Sequence, residues 1–124
     1  MNIYLMSAAA LTFLIGLAHT LLGEKLILIP LLKKKQHTIR GSEFIVRRTI
    51  RFAWHATTLA WWGIAVIFVV LASGPLSARE IVILRILSGT FGASGILSLI
   101  AGHGKHFSWY VFLAIAALSF WATQ

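Results

Sequence analysis

Residues 52–72 read FAWHATTLAWWGIAVIFVVLA, 21 consecutive positions without a charged side chain. Arg47, Arg48 and Arg51 precede the run and Ser73-Gly74-Pro75 follows it, so it has a basic start and a turn-forming stop. A hydrocarbon layer about 30 Å thick takes about 20 apolar residues of helix to cross. The stretch therefore reads as a transmembrane helix, and three further apolar runs can be measured against it. Residues 2–22 form one, continuing past Glu24-Lys25 into 26–32; residues 80–101 form another, and 107–122 a short last one. The expected architecture is an all-α integral membrane protein, four transmembrane helices in an antiparallel up-down bundle. The helices cover about 2–32, 43–72, 80–101 and 107–122 of a single membrane domain, 1–124, with a basic loop at 33–42.

Composition agrees. Of 124 residues, 59% are hydrophobic and 11% charged, with a mean hydropathy of +0.88; soluble domains run at about 45–50% and about 25%. The absence of cysteine removes disulfides, thiolate metal sites and a cysteine nucleophile from consideration. Eleven Lys/Arg against three carboxylates give +8, a balance that in a soluble chain would point to nucleic acid. Eight of the eleven lie between Lys25 and Arg51, between apolar runs, which makes them a topology signal instead. Nine basic residues fall on the membrane side of the 33–42 and 102–106 loops, against Arg79 and Arg85 on the other. The positive-inside rule then puts the basic loop in the cytoplasm and both termini outside it, as in a bacterial inner membrane. The N-terminus lacks the basic n-region of a secretory signal, so the first run is expected to stay as a helix. The two helix pairs share no visible repeat, and an inverted-repeat transporter is not indicated.

Ionisable groups are costly in lipid and usually face a bundle interior or a cavity. In this topology His19 and Glu24 close helix 1, Arg51 and His55 open helix 2, His103 ends helix 3 and His106 starts helix 4. Four of the five histidines thus meet at one depth; His37 sits in the polar loop. At about 100° per residue, Thr12, Gly16, His19, Thr20 and Gly23 share one stripe of helix 1, with Glu24 about 140° from His19. Arg51, His55, Thr58 and Trp62 share a face of helix 2; Arg85, Ser88, Gly92, Gly95 and His103 align on helix 3. Such small-residue stripes let helices approach closely in lipid. Trp61 and Trp62 lie mid-helix, whereas Trp54, Trp109 and Trp121 sit where interfacial aromatics concentrate.

A membrane histidine can ligate a metal or haem, relay protons, or bond a quinone-like ligand. No His-Glu-x-x-His or Glu-x-x-His pattern is present, so zinc hydrolysis and a di-metal carboxylate centre are not indicated. The matching cofactor is haem b or another transition-metal centre, with His19 and His55 as ligands and His103 or His106 as alternative ligand or proton carrier. Arg51 or Arg48 would meet the propionates. A second expectation is a proton-coupled transporter or channel, working as a homo-oligomer, in which Glu24, His19 and His55 titrate and Arg85 guards the outer mouth. A third is an accessory subunit docked on a larger membrane complex. Arg85 otherwise snorkels to the interface or pairs with Glu80. Lys33, Lys34, Lys35, Arg40, Arg47 and Arg48 form a patch suited to lipid headgroups. In outline, four spans with a glutamate in the first, the chain resembles the small multidrug resistance transporters. The likeness is of shape: Glu24 beside Lys25 at the membrane edge, the histidine set and the missing family motifs depart from it.

Overall fold

Asn2 starts the bundle by joining three chain ends. Its side-chain oxygen accepts from the backbone N–H groups of Tyr4 (3.1 Å) and Leu5 (3.3 Å), capping α1 (Ile3–Gly23). Its backbone N–H donates to Ala72 O at 2.9 Å, and its side-chain amide donates to Ala122 O at 3.3 Å. The structure, a computed structural model, describes residues 1–33 and 43–124. His37, Lys34, Lys35 and Arg40 lie outside the described residues.

Helix α1 runs without a break into a π-helical turn, Glu24–Leu28, and then into α2 (Ile29–Lys33). The cause is Pro30, which has no N–H and whose ring would meet the carbonyl four residues back. The wider turn just before it shifts the ladder, and Ile29 N–H reaches back five residues to Glu24 O. The first helix therefore extends to Lys33. The second, α3 (Glu43–Ala72), begins with a Glu43–Arg47 ion pair of 2.6 Å one turn apart. α4 (Ala78–Ala101) starts two residues earlier than hydropathy indicates, because Ser77 and Glu80 form a reciprocal capping box. Glu80 is thereby occupied with Ser77 N–H at 2.6 Å rather than with Arg85. His103 (φ 46°) and Gly104 (φ 73°) end α4 in the left-handed region, and α5 (Ser108–Trp121) follows.

The helices form an antiparallel bundle whose main seams are α1–α3, α1–α5 and α4–α5. Three helical stretches of 31, 30 and 24 residues are long and apolar enough to cross a membrane; α5, with 14, is a shorter apolar helix. The core holds Leu5, Phe68, Leu84 and Ile115, all fully buried. Large apolar side chains also face outward all along the rods, among them Leu14, Leu59, Val70 and Leu97. Helices apolar on every face fit a lipid surround. Along α4–α5, Ser88 Oγ donates to Ala116 O at 2.7 Å, and a methyl on Gly95 would lie 2.9 Å from Leu113. The glycine stripe of α4 thus packs on α5, but it does not include Arg85 and His103, the two ends assigned to it. Leu84 is the buried neighbour and Arg85 is exposed; His103 lies past the helix end, also exposed.

Candidate functional site

At the end of the bundle opposite the termini, two groups of polar side chains flank the α1–α3 seam. The first gathers around Glu24, at the start of the π turn. One carboxylate oxygen lies 2.6 Å from the Arg51 guanidinium and the other 3.2 Å from His55 Nε2. His55 Nδ1 is 3.4 Å from Thr20 Oγ1, which donates to Thr58 Oγ1 at 2.7 Å. Glu24 and Arg51 cancel in charge, which makes their partial burial in lipid affordable. With Thr20 donating to Thr58, both ring nitrogens of His55 must carry protons to make both contacts; turning the two hydroxyls round accommodates the neutral ring.

The second group centres on His19, on the other flank. Its ring stacks on Trp54 (centroids 4.3 Å, interplanar 7°) and meets Trp61 edge-on at 4.9 Å. Trp54 Nε1 donates to His19 O at 3.0 Å, and its ring lies against Gly23, where a Cβ would run into it. In the same way Trp62 Nε1 donates to Phe13 O at 3.2 Å across Gly16. The two glycines of α1 thus admit indole rings of α3, a more specific use than close backbone approach. From His19 the rings continue through Trp61 to Phe112 (5.4 Å), Phe91 (6.1 Å) and Phe68 (6.3 Å) in the core.

His19, Trp54, Trp61 and Phe112 wall a cavity of roughly 550 Å³, with His106 and Ser108 at the start of α5 on its other side. Leu22, Leu26, Ile27 and Phe107, all exposed, also line it, so apolar side chains on the outside of the bundle border its opening. His19 Nε2 is buried and has no hydrogen-bond partner among the described residues. His106 Nδ1 lies 2.8 Å from Ser108 Oγ, itself 2.6 Å from Ser98 Oγ. Among the described residues lining the cavity there is no Lys or Arg.

The structure sorts the sequence candidates differently from helical phase. His19 and His106 share the cavity. His55 does not line it, being turned onto Glu24 and Thr20, so His19 and His55 do not present themselves as two ligands to one space. Arg51 is bound to Glu24, and Arg48 lies over the Phe44 ring at 4.5 Å; neither lines this cavity. His103 and Arg85 stand apart from both groups, exposed. No group of three His, Asp or Glu side chains suited to a metal ion occurs among the described residues. Sequence reading placed Thr20 on the packing stripe of helix 1 and Trp54 among the interfacial aromatics without assigning either to the site, and it did not single out Phe112. The available signal was weak: Gly23 and Gly16, seven residues apart on α1, are paired with Trp54 and Trp62, eight apart on α3. The chain matches no known family model, no curated protein and no solved structure.

Proposed function

We propose that this membrane protein binds a neutral, lipid-soluble ring compound of the quinone class in the His19 cavity, as a partner in membrane redox chemistry. The observation that carries the reading is a cavity with aromatic and apolar walls that brings two imidazoles together, His19 and His106, the His19 Nε2 having no hydrogen-bond partner among the described residues. Leaving such a nitrogen unpaired costs about 1–3 kcal/mol, which a ligand oxygen recovers once the ring turns it to the cavity face. An imidazole serves both ligand states: it donates to a quinone carbonyl in one tautomer and accepts from a quinol hydroxyl in the other. Trp54 holds His19 in place, while Trp61 and Phe112 offer faces for ring stacking worth about 0.5–1.5 kcal/mol per pair. The volume lies within the range of about 300–1,000 Å³ usual for small-molecule sites.

Haem is a second reading, favoured by the two histidines, His19 and His106, on one cavity. It is weaker because haem propionates call for cations and none lines the walls. In the same proposal the basic ends of α2 and α3 face the cytoplasm of a bacterial inner membrane, with both termini outside.

The test is a titration of the detergent-purified chain with a short-chain benzoquinone, followed by quenching of tryptophan fluorescence. Saturable quenching is expected, with affinity falling about 3–10-fold in His19→Leu, the loss of one hydrogen bond. Quenching that is unsaturable, or unchanged in His19→Leu, would overturn the proposal. An absorption spectrum of the same sample checks the second reading through its Soret band.

A further inference from the structure

The cytoplasmic-end basic residues do more than mark topology in the proposed orientation. A cleft of roughly 410 Å³ opens between α2 and the first turns of α3. One wall is Ile29, Leu32 and Lys33; the other is Phe44, Arg47, Arg48 and Arg51. Among the described residues four cations meet here and two carboxylates answer them: Glu43 pairs with Arg47, and Glu24 with Arg51, each at 2.6 Å. Lys33 and Arg48 remain in excess. Arg48 lies over the Phe44 ring at 4.5 Å from its centroid, which biases its guanidinium toward the cleft by about 0.5–1 kcal/mol. Arg47 is held by Glu43 and so is not counted among the free cations of the cleft.

The cleft is also amphipathic along its length. Leu32 is buried and Ile29 and Phe44 are exposed apolar groups beside the cations. The rod Ile3–Lys33 is about 45 Å long, longer than the hydrocarbon layer of about 30 Å, so its basic end reaches the headgroup region.

We propose that this cleft binds the phosphate of an anionic phospholipid, with Lys33 and Arg48 on the phosphate and an acyl chain along Ile29 and Leu32. The recognised chemistry is a phosphate anion. The lipid is the favoured source, because the cations stand beside apolar groups and a soluble phosphate would leave those groups without a partner. This site is separate from the His19 cavity, and its failure would leave the reading of that cavity untouched.

The test uses the full chain in detergent micelles, titrated with phosphatidylglycerol, with phosphatidylcholine and with inorganic phosphate, counting bound lipid by native mass spectrometry. Phosphatidylglycerol is expected to be retained in preference to phosphatidylcholine, and millimolar inorganic phosphate is expected not to displace it. Each surface cation contributes on the order of fivefold, so Lys33→Gln with Arg48→Gln should weaken retention about 30-fold. Arg48→Lys should weaken it less than Arg48→Gln. Circular dichroism of each variant confirms that helix content is kept; should the double variant lose it, the two single variants at about fivefold each carry the test. Equal retention of the two lipids, or retention indifferent to Lys33 and Arg48, overturns the proposal. Displacement of phosphatidylglycerol by inorganic phosphate overturns the lipid assignment and makes soluble phosphate the occupant.

Discussion

Replacing Gly23 by Ala probes the contact that holds His19 in position. Alanine is the better helix former by about 0.5–1 kcal/mol, so on propensity alone the variant should be more stable. In the structure the new methyl would lie 2.7 Å from two atoms of the Trp54 ring and closer to a third. That ring cannot simply swing aside, because it is stacked on His19 at 4.3 Å and its Nε1 donates to His19 O. Overpacking of this kind costs about 1–3 kcal/mol, and loss of the indole hydrogen bond adds about 0.5–1.5. Set against the propensity gain, Gly23→Ala should lose about 1–3 kcal/mol. Thermal unfolding in detergent, followed by tryptophan fluorescence, measures this. Gly63→Ala and Gly89→Ala are the controls, since a Cβ at either position meets nothing within 4 Å; both should be neutral or slightly stabilising. Combining Gly23→Ala with Trp54→Ala should cost less than the sum of the two changes, because the ring that clashes is gone. A Gly23→Ala protein as stable as Gly63→Ala would refute the reasoning.

Glu24→Gln should destabilise by about 1–2 kcal/mol by leaving Arg51 and His55 without their shared carboxylate, and Glu24→Gln with Arg51→Gln should cost less than the two separately, checked by the same unfolding assay. His103→Gly should stabilise by up to about 1 kcal/mol, since His103 has φ 46° and glycine adopts that region without strain; a drop in melting temperature would count against it. The cysteine-free chain makes orientation measurable: a single cysteine at Gln124 should react with an impermeant thiol reagent in intact cells, and one at Lys105 only after lysis. The opposite pattern would reverse the proposed topology.

Much of the fold was legible in local sequence. Runs of apolar residues mark the spans because crossing a hydrocarbon layer is a requirement on each segment by itself, and 52–72 meets it alone. Phase within one helix was equally accessible: His19 and Glu24 do diverge, His19 to the aromatic cavity and Glu24 to the Arg51–His55 cluster. The small residues Ser88, Gly92 and Gly95 do form the packing face of α4.

What tertiary structure decided is how each helix is rotated against its neighbours. α4 carries apolar side chains on every face, so its pattern does not say which residue beside Ser88 turns inward; packing buries Leu84 and turns Arg85 out. His103 follows the helical phase of α4 only on paper, because the left-handed turn at His103-Gly104 ends the helix first. His55 shares a seam with His19 but not a cavity, since α3 presents Trp54 and Trp61 to one flank of α1 and His55 to the other. His106 joins His19 because α5 packs on α1, a contact between residues far apart in the chain. Hydropathy and helical period are properties of one segment and can be read from it. Rotation and neighbour choice depend on how indoles, glycines and hydroxyls from different segments fill the same space, and only the packed bundle determines that.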